Sequence, residues 1–296
     1  MSQKITIGVA AISMEPVSID QRRRDIAEMI ARAAAQRCQL VCFPEFVQMQ
    51  RTTEAMADVD AGCDDVYARY AECVPGGPSS QGIAQACREH GIWATYGITE
   101  RWPDGHATNS MIWIDNTGQV AGRHAKTHLA PGEDGEGGLS AGGDLRPLST
   151  PFGRVGVMTC YEIYFPEIAR VHQARGADWF FYPHADNQPK CLDVARVRAF
   201  DSRMPLIVCG YVWPKKSMDD APTGAALIDA QGDVVARSEN RQMLLVVELD
   251  PHDRPTEAAR WDRPNDRVDA RSFRWSRRRP ELYAQLVQCR PEEADK

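Results

Sequence analysis

Residues 153–176, GRVGVMTCYEIYFPEIARVHQARG, contain the change of pattern that decides the fold. The first part, GRVGVMTC, is a short run of β-branched and small residues typical of a buried strand, whereas PEIARVHQARG has helical spacing and ends at Gly176. Cys160 therefore lies at a predicted strand-to-helix junction, where a side chain is presented at the carboxyl end of a strand. Nucleophiles occur at such junctions, and a cysteine that only fills the core is the alternative interpretation of this position.

The same alternation of strand-like and helix-like segments extends along most of the chain. One helix is predicted after Ile19, with Asp20 as its N-cap, and another ends at Gly91. Residues 92–126 instead indicate an antiparallel hairpin and meander, so the sheet should be mixed. The pattern predicts a layered α/β fold. Its strand-like runs are residues 5–12, 39–45, 92–99, 108–115, 155–160, 178–185, 206–213, 224–230 and 244–250.

Composition and charge narrow the class of protein. The chain has 296 residues, of which 43% are hydrophobic, which fits one large α/β domain or two smaller ones. A formal net charge of −6 argues against nucleic acid as the main partner. No apolar stretch approaches the roughly 20 residues needed to cross a bilayer, so no membrane partner is predicted.

The N-terminus and the cysteines indicate a cytoplasmic location. The first residues, MSQKITIGVA, pass directly into a strand-like run and lack the features of a signal peptide. Nine cysteines are spread through apolar segments, with no C-x-x-C pair and no Cys/His quartet at zinc spacing. They are therefore predicted to be reduced thiols and not metal ligands.

The composition changes near the C-terminus. From about Pro251 the chain becomes rich in Arg, Asp and Pro. The expected organisation is a domain over residues 1–250 and an extension over residues 251–296 that wraps the domain or a partner subunit, with a partly disordered end as the alternative. The basic run at residues 274–283 lies beside acidic residues, which predicts a solvated or subunit-contact surface and not an RNA-binding patch.

Two other predicted strands are followed by groups that a cysteine nucleophile needs. The segment VCFPEF places Glu45 just past a strand, and GRHAKTHLAPGED places Lys126 after a hairpin strand with Glu133 seven residues later. A free thiol is only a few per cent thiolate at neutral pH, so it needs an adjacent base or cation, and Glu45 can accept its proton. Lys126 and the backbone N–H of Tyr161 can stabilise the oxyanion of an acyl-transfer intermediate.

These motifs together resemble the nitrilase superfamily of carbon–nitrogen hydrolases. The resemblance is carried by FPEF, HAKTHLAPGE and VGVMTCYEIYFPE, with further similarity in RVRAFDSRMPLIVCGYV and TGAALIDAQG, and it spans residues 4–250. It implies a single-domain, four-layer α-β-β-α sandwich with mixed sheets. It also implies pairing into a homodimer or higher homo-oligomer, and no metal or organic cofactor.

The resemblance also implies the role of each site residue. Glu45 is the general base, Lys126 stabilises the oxyanion, and Cys160 is the nucleophile that forms a thioester. Glu133 is the second glutamate, which positions the substrate nitrogen and Lys126, with Glu136 as its rival because this loop varies in the family. The expected reaction is hydrolysis of a non-peptide carbon–nitrogen bond with release of ammonia or an amine.

The residues after the nucleophile bear on the choice of substrate. Tyr161 favours a small amide, because true nitrilases often have Trp there, although nitrile hydrolysis stays open. Tyr164 occupies the position where relatives that act on carbamoyl or omega-amide substrates bearing a carboxylate often have Arg. His184 and Asn187 are further candidates to bind a polar substrate, with a structural role as the alternative for His184. An N-carbamoyl amidohydrolase and a catalytically silent binding subunit are the remaining alternatives.

Overall fold

The computed structural model describes residues 4–185, 188, 190–213, 224–284 and 286. It divides into two compact units, which are Met1–Asp253 and Arg254–Lys296. The helices of the first unit are α1 (Ile19–Ala35), α2 (Thr53–Asp60), α3 (Val66–Arg69), α4 (Pro78–His90), α5 (Pro166–Ala174) and α6 (Cys191–Ser202). Its strands are β1 (Ile5–Ser13), β2 (Leu40–Cys42), β3 (Glu72–Cys73), β4 (Trp93–Arg101), β5 (Ala107–Ile114), β6 (Val120–Ala125), β7 (Leu148–Thr150), β8 (Gly153–Val157), β9 (Trp179–Pro183), β10 (Leu206–Cys209), β11 (Tyr211–Val212), β12 (Ala225–Ile228), β13 (Val234–Arg237) and β14 (Met243–Leu249).

The strands of the first unit form two mixed sheets. The first has the order β11-β1-β2-β4-β5-β6, with β14 beside β1 and β3 beside β4. Strands β1, β2 and β4 are parallel, whereas β4, β5 and β6 form the predicted antiparallel meander. The second sheet has the order β13-β12-β10-β9-β8-β7, with β8, β9 and β10 parallel. The mixed-sheet prediction is therefore confirmed.

Alternation of side chains along the strands produces four layers. On β9, Trp179 and Phe181 belong to the core between the two sheets, where Trp113 of the first sheet packs against both rings at 6.3 and 6.1 Å. Their neighbours Phe180 and Tyr182 belong to a separate core that also contains apolar residues of α5 and α6. A third core joins α1 and α4 to the outer face of the first sheet. Because successive strand residues point to opposite faces, each sheet has one face covered by helices and one face packed against the other sheet. The predicted α-β-β-α sandwich is confirmed.

The N-cap prediction for α1 is wrong. Ser18, and not Asp20, has the extended backbone of an N-cap, and its side chain accepts a hydrogen bond from the N–H of Gln21. Asp20 lies in the first turn, where it pairs with Arg23 at 3.2 Å. The helix begins two residues earlier than an N-cap at Asp20 would place it, because an acidic side chain also stabilises the positive end of a helix from inside its first turn.

The second unit has its own secondary structure. Strands β15 (Thr256–Arg260) and β16 (Arg263–Asp269) form an antiparallel hairpin that leads into α7 (Ala270–Ser276). The Asp269 side chain caps α7 by accepting from the N–H of Ser272 at 2.6 Å. Trp261, in the hairpin turn, is 94% exposed. The interpretation that this segment wraps the domain or a partner subunit stays a prediction.

Across the described ranges, no helix is both long and apolar enough to span a bilayer.

Candidate active site

Glu45 lies in a tightly held turn that follows β2. Phe46 has a φ of +52°, and Gly97 on β4 approaches so closely that a Cβ atom there would lie 2.5 Å from Glu45 Cα. The hydroxyl group of Tyr211 donates to the backbone carbonyl of Glu45 at 2.8 Å. The Glu45 carboxylate, in a residue only 1% exposed, is therefore presented from a firmly packed backbone.

Glu45, Lys126 and Glu133 form one buried hydrogen-bonded cluster. Lys126 directly follows β6, and its Nζ donates to Glu45 Oε1 at 2.9 Å and to Glu133 Oε1 at 2.8 Å. The second oxygen of Glu133, Oε2, accepts the N–H of Ala130 at 2.8 Å, which holds the loop that carries it. Glu136 in the same loop is exposed. The structure thus brings Glu133, and not Glu136, to the ammonium group.

Two carboxylates share one ammonium group in this cluster. Burial alone would lower the pKa of Lys126, but the negative charges of Glu45, Cys160 and Glu133 outweigh it and raise that pKa above its usual value. Lys126 is therefore a cation at neutral pH. Burial, and then the charge of Glu45, raises the pKa of Glu133, although Lys126 opposes the effect. The positive charge and hydrogen bond of Lys126 therefore stabilise the ionised form of Glu133.

Cys160 begins a short 3₁₀ turn over Cys160–Tyr164, between β8 and α5. This is the strand-to-helix junction predicted from the sequence. The φ of Cys160 is +50°, a left-handed conformation that is uncommon for residues with a Cβ atom and that clusters at functional sites. Its thiol is partly exposed, whereas Lys126 is fully buried. The negative charge of Cys160 contributes to the raised pKa of Lys126, so the structure brings these two groups into electrostatic range.

Glu162 connects the Cys160 turn to the segment around Lys126. Its Oε2 atom accepts the N–H of Thr159 at 2.7 Å and lies 2.9 Å from His124 Nε2. Its Oε1 atom accepts both the N–H and the hydroxyl of Thr127, at 2.7 and 2.6 Å. Burial alone would raise the pKa of Glu162, but the charge and hydrogen bond of His124, with the Thr127 hydrogen bonds, lower it to about 2. Glu162 is therefore a permanent buried anion at neutral pH.

The predicted substrate-binding residues occupy different environments. His184 is buried, stacks on Tyr182 with ring centroids 4.8 Å apart, and is followed by Ala185, whose N–H donates to Glu45 Oε2 at 2.8 Å. Tyr164 is 38% exposed, and the ring of Tyr161 lies between those of Tyr164 and Phe165, at 5.8 and 5.3 Å. An aromatic group therefore directly follows the cysteine. The further candidate, Asn187, lies outside the described residues.

Asn109 and Tyr67 also face the cluster, and the sequence patterns do not identify them. Asn109 on β5 donates from Nδ2 to Glu45 Oε1 at 2.7 Å and to Glu133 Oε1 at 3.2 Å. Burial, and then the charges of Glu45 and Glu133, raises the pKa of Tyr67 on α3 to about 12. A polar side chain within the buried strand ATNSMIWI is the signal that could have pointed to Asn109. Tyr67 lies in a short helix without a clear sequence pattern and has no comparable signal.

The described residues show neither disulfide bonds nor a metal site. In the part of the chain that the structure describes, the cysteines form no disulfide bonds, and no group of three or more His, Cys, Asp and Glu side chains is arranged to hold a metal ion. The site described above combines one thiol, one ammonium group and two carboxylates with the carboxamide of Asn109 and the phenol of Tyr67.

Known proteins share both the sequence pattern and the fold. Residues 8–255 match the carbon-nitrogen hydrolase family. Omega-amidase NIT2-A of Xenopus laevis is 26% identical over 259 residues, which cover 83% of this chain and 89% of that protein. An aliphatic nitrilase of Sinorhizobium fredii (strain HH103) is 26% identical over 275 residues, which cover 85% and 88% of the two chains. The crystal structure of a carbon-nitrogen hydrolase from Helicobacter pylori G27 has a TM-score of 0.76 at 18% identity and covers 97% of this chain and 99% of that one.

The structural similarity shows a common fold, and the family match extends over most of the chain, including the segments that carry Glu45, Lys126 and Cys160. The chain belongs to the carbon–nitrogen hydrolase family.

Proposed function

We propose that this hydrolase cleaves the carbon–nitrogen bond of small amides through a thioester on Cys160. The observation that carries the proposal is the fully buried Lys126, held between the carboxylates of Glu45 and Glu133 and within electrostatic range of the Cys160 thiol. Burying a cation and two carboxylates is costly, and a purely structural core would avoid it. A base, a cation and a thiol are together what acyl transfer to cysteine requires.

In the acylation step, Cys160 gives its thiol proton to Glu45, and Sγ forms a bond to the amide carbon. The electrons of the C=O bond move onto the oxygen, which Lys126 and the N–H of Tyr161 stabilise. An ammonium group has three N–H donors, and the two hydrogen bonds to Glu45 and Glu133 leave one for this oxyanion. The C–N bond then breaks, the nitrogen takes the proton from Glu45, and ammonia or an amine leaves.

In the deacylation step, water gives a proton to Glu45 while its oxygen attacks the thioester carbon. The C–S bond breaks, Cys160 regains its proton from Glu45, and the carboxylic acid leaves. Glu45 therefore acts alternately as base and acid, which its fixed hydrogen bonds to Lys126 and the N–H of Ala185 support. In this scheme Glu133 orients Lys126 and the leaving nitrogen.

The proposed substrates are amides with a neutral acyl group. Tyr161 after the nucleophile supports amides over nitriles, and Tyr164 cannot form the paired ionic hydrogen bonds that Arg makes with a carboxylate. The similar proteins include an omega-amidase and an aliphatic nitrilase. Two further substrates should therefore be compared with the neutral amide: an amide that bears a carboxylate, and a nitrile. His184 and Asn187 remain the proposed polar contacts to the substrate.

The test is a panel of amides, nitriles and carbamoyl compounds scored by ammonia release, with Cys160→Ala as the blank. We expect amides to be hydrolysed and the blank to lose activity by about 10⁴-fold. Acid quenching followed by mass spectrometry of the intact protein should reveal an acyl adduct on wild type and none on Cys160→Ala. Binding without turnover across the panel would indicate a catalytically silent subunit, and near-normal activity of Cys160→Ala would overturn the mechanism.

We also propose that the enzyme is a cytoplasmic homodimer. The described cysteines form no disulfide bonds, which supports a reducing compartment. Exposed apolar side chains on α6, Val197 at 49% and Phe200 at 42%, support burial against a second copy of the chain. Light scattering at micromolar concentration should give twice the mass of the chain, and Phe200→Asp should reduce it to the mass of one chain.

A further inference from the structure

We propose that Asn109 is a positioning residue that divides its carboxamide N–H groups between Glu45 and Glu133 and so holds the two carboxylates in their working arrangement around Lys126. The inference rests on the proposed function, because it assigns Asn109 to the acid–base chemistry of that site. Asn109 touches none of the reacting atoms in this scheme and acts through Glu45.

The geometry places Asn109 at the centre of the charged cluster. Its Nδ2 atom lies 2.7 Å from Glu45 Oε1 and 3.2 Å from Glu133 Oε1. The same two oxygens accept hydrogen bonds from Lys126 Nζ. The backbone carbonyl of Asn109 also accepts the N–H of Lys126 at 2.8 Å. One residue therefore fixes both carboxylates and the main chain from which the ammonium group projects.

The chemistry of the cluster explains why a carboxamide suits this position. Two carboxylates and one ammonium group leave one negative charge without a partner, and a second cation would neutralise the base that the reaction needs. A carboxamide provides two N–H donors with no charge, one for each glutamate. Asn109 is 1% exposed, and its Oδ1 has no hydrogen-bond partner among the described residues. An apolar residue would avoid that unsatisfied atom, so the two N–H bonds account for the polar side chain.

Loss of these bonds has a definite effect on protonation. A hydrogen bond donated to a carboxylate stabilises the ionised form, so its removal makes proton uptake easier. The titratable groups that face the two glutamates are Lys126, Cys160 and Tyr67, and the raised pKa values of Lys126 and Tyr67 keep both of these groups protonated between pH 5 and 7. The acidic limb of the pH profile of kcat/KM should therefore reflect protonation of Glu45 and Glu133, and it should move to higher pH when Asn109 is replaced.

The experiment compares Asn109→Asp and Asn109→Ala with Ser110→Ala on the preferred amide substrate. Asp keeps the size of the side chain but replaces the N–H donors with a carboxyl group. Ser110 on the same strand bonds to Thr108 and Glu100, and not to Glu45 or Glu133. We expect both Asn109 variants to lose at least about tenfold in kcat at pH 7 with a smaller change in KM. Their acidic limbs should shift upward by roughly half a pH unit or more, and Ser110→Ala should keep the wild-type limb.

A second measurement separates positioning from simple folding damage. In Asn109→Asp, the rate at which iodoacetamide alkylates Cys160 should decrease as the pH is lowered, over the same shifted pH range as the acidic limb of kcat/KM. The rate is measured at temperatures where circular dichroism shows a folded chain. If Asn109→Ala fails to fold, the size-matched Asn109→Asp decides the question. If a folded Asn109 variant has its acidic limb at the same pH as the wild type, the positioning role is overturned while the thioester mechanism stays intact. Absence of an acyl adduct on wild type would instead overturn the proposed function.

Discussion

His124 Nε2 lies 2.9 Å from Glu162 Oε2, and this contact joins the strand that leads to Lys126 with the turn that begins at Cys160. Both side chains are buried, and the other oxygen of Glu162 accepts two hydrogen bonds from Thr127. Glu162 thus holds the residues on either side of Lys126 in place. The distance between the proposed nucleophile and the proposed oxyanion stabiliser depends on a residue that carries out no chemistry itself.

Glu162→Gln should therefore destabilise the protein by roughly 3 kcal/mol, because it replaces with an NH₂ donor one oxygen of a buried carboxylate that accepts four hydrogen bonds. Urea unfolding at pH 7 measures the effect. Glu167→Gln, an exposed position in the neighbouring helix, is the matched control and should change stability by less than about 0.5 kcal/mol. Equal stability of the two variants would mean that Glu162 does not hold this junction together.

Stability should decrease as the pH falls from about 6.5 to about 4 because of His172. Burial, and then the charge of His124, lowers the pKa of His172 from 6.5 to about 4. A carbonyl oxygen can only accept, so the neutral ring donates from Nε2 to the Val157 carbonyl at 2.9 Å. Since the unfolded chain binds the proton more readily than the folded chain, folding loses free energy through this window, up to roughly 3 kcal/mol.

His172→Gln should flatten that part of the pH–stability curve, because the variant lacks the buried imidazole whose lowered pKa causes this loss. The measurement is the free energy of urea unfolding at intervals between pH 4 and 7 for both proteins. Glu162, whose pKa is lowered to about 2, adds a further loss only below about pH 4.5 and is common to both. A wild-type curve that is flat between pH 6.5 and 4.5 would contradict this assignment.

Gly97→Ala should disrupt the turn that presents Glu45. The added Cβ atom would lie 2.5 Å from Glu45 Cα and 2.6 Å from the backbone N of Phe46, and backbone atoms cannot move aside without displacing the carboxylate. We expect a loss of roughly 2 kcal/mol or more in stability and a marked loss of kcat. In Gly82→Ala, at an exposed position of α4, the new Cβ meets no atom within 4 Å, and helix propensity should stabilise the protein by about 0.5–1 kcal/mol. Thermal unfolding of both variants with ammonia-release assays would reveal the difference, and normal activity in Gly97→Ala would refute the close-packing argument.

The wild-type enzyme should prefer a neutral amide to a matched amide that ends in a carboxylate, because an anion without a paired cation is costly to bury. Tyr164→Arg should reduce this preference by about tenfold, which corresponds to roughly 1.4 kcal/mol of transition-state stabilisation. Specificity constants for the two substrates, with Tyr164→Phe as control, measure the effect. If the wild type instead favours the carboxylate-bearing amide by more than about tenfold, a cation other than residue 164 must bind that group.

Local sequence patterns were enough to locate most of the elements and the places where chemistry can occur. Alternating apolar runs and helical spacing depend on near neighbours, so they revealed the longer strands of the first unit, the meander and the strand-to-helix junction at Cys160, but not the short strands β3, β7 and β13. Glu45 and Lys126 stood out because each follows a strand. The N-cap of α1 was wrong because Ser18 and Asp20 are both suited to a helix start, and only the backbone conformation distinguishes them.

Which side chains meet at the site follows only from the way the chain folds in three dimensions. Lys126 is 81 residues from Glu45, and Asn109 is 64 residues from it, yet both bind the same carboxylate oxygen because β5 and β6 lie in the sheet that also contains β2. The spacing from Lys126 favours Glu133 over its rival Glu136, and the folded loop places Glu133 buried against the ammonium group and Glu136 exposed. Hydrogen bonds act over about 3 Å in space and not along the chain, so their partners follow from strand order and packing, which local sequence patterns do not encode.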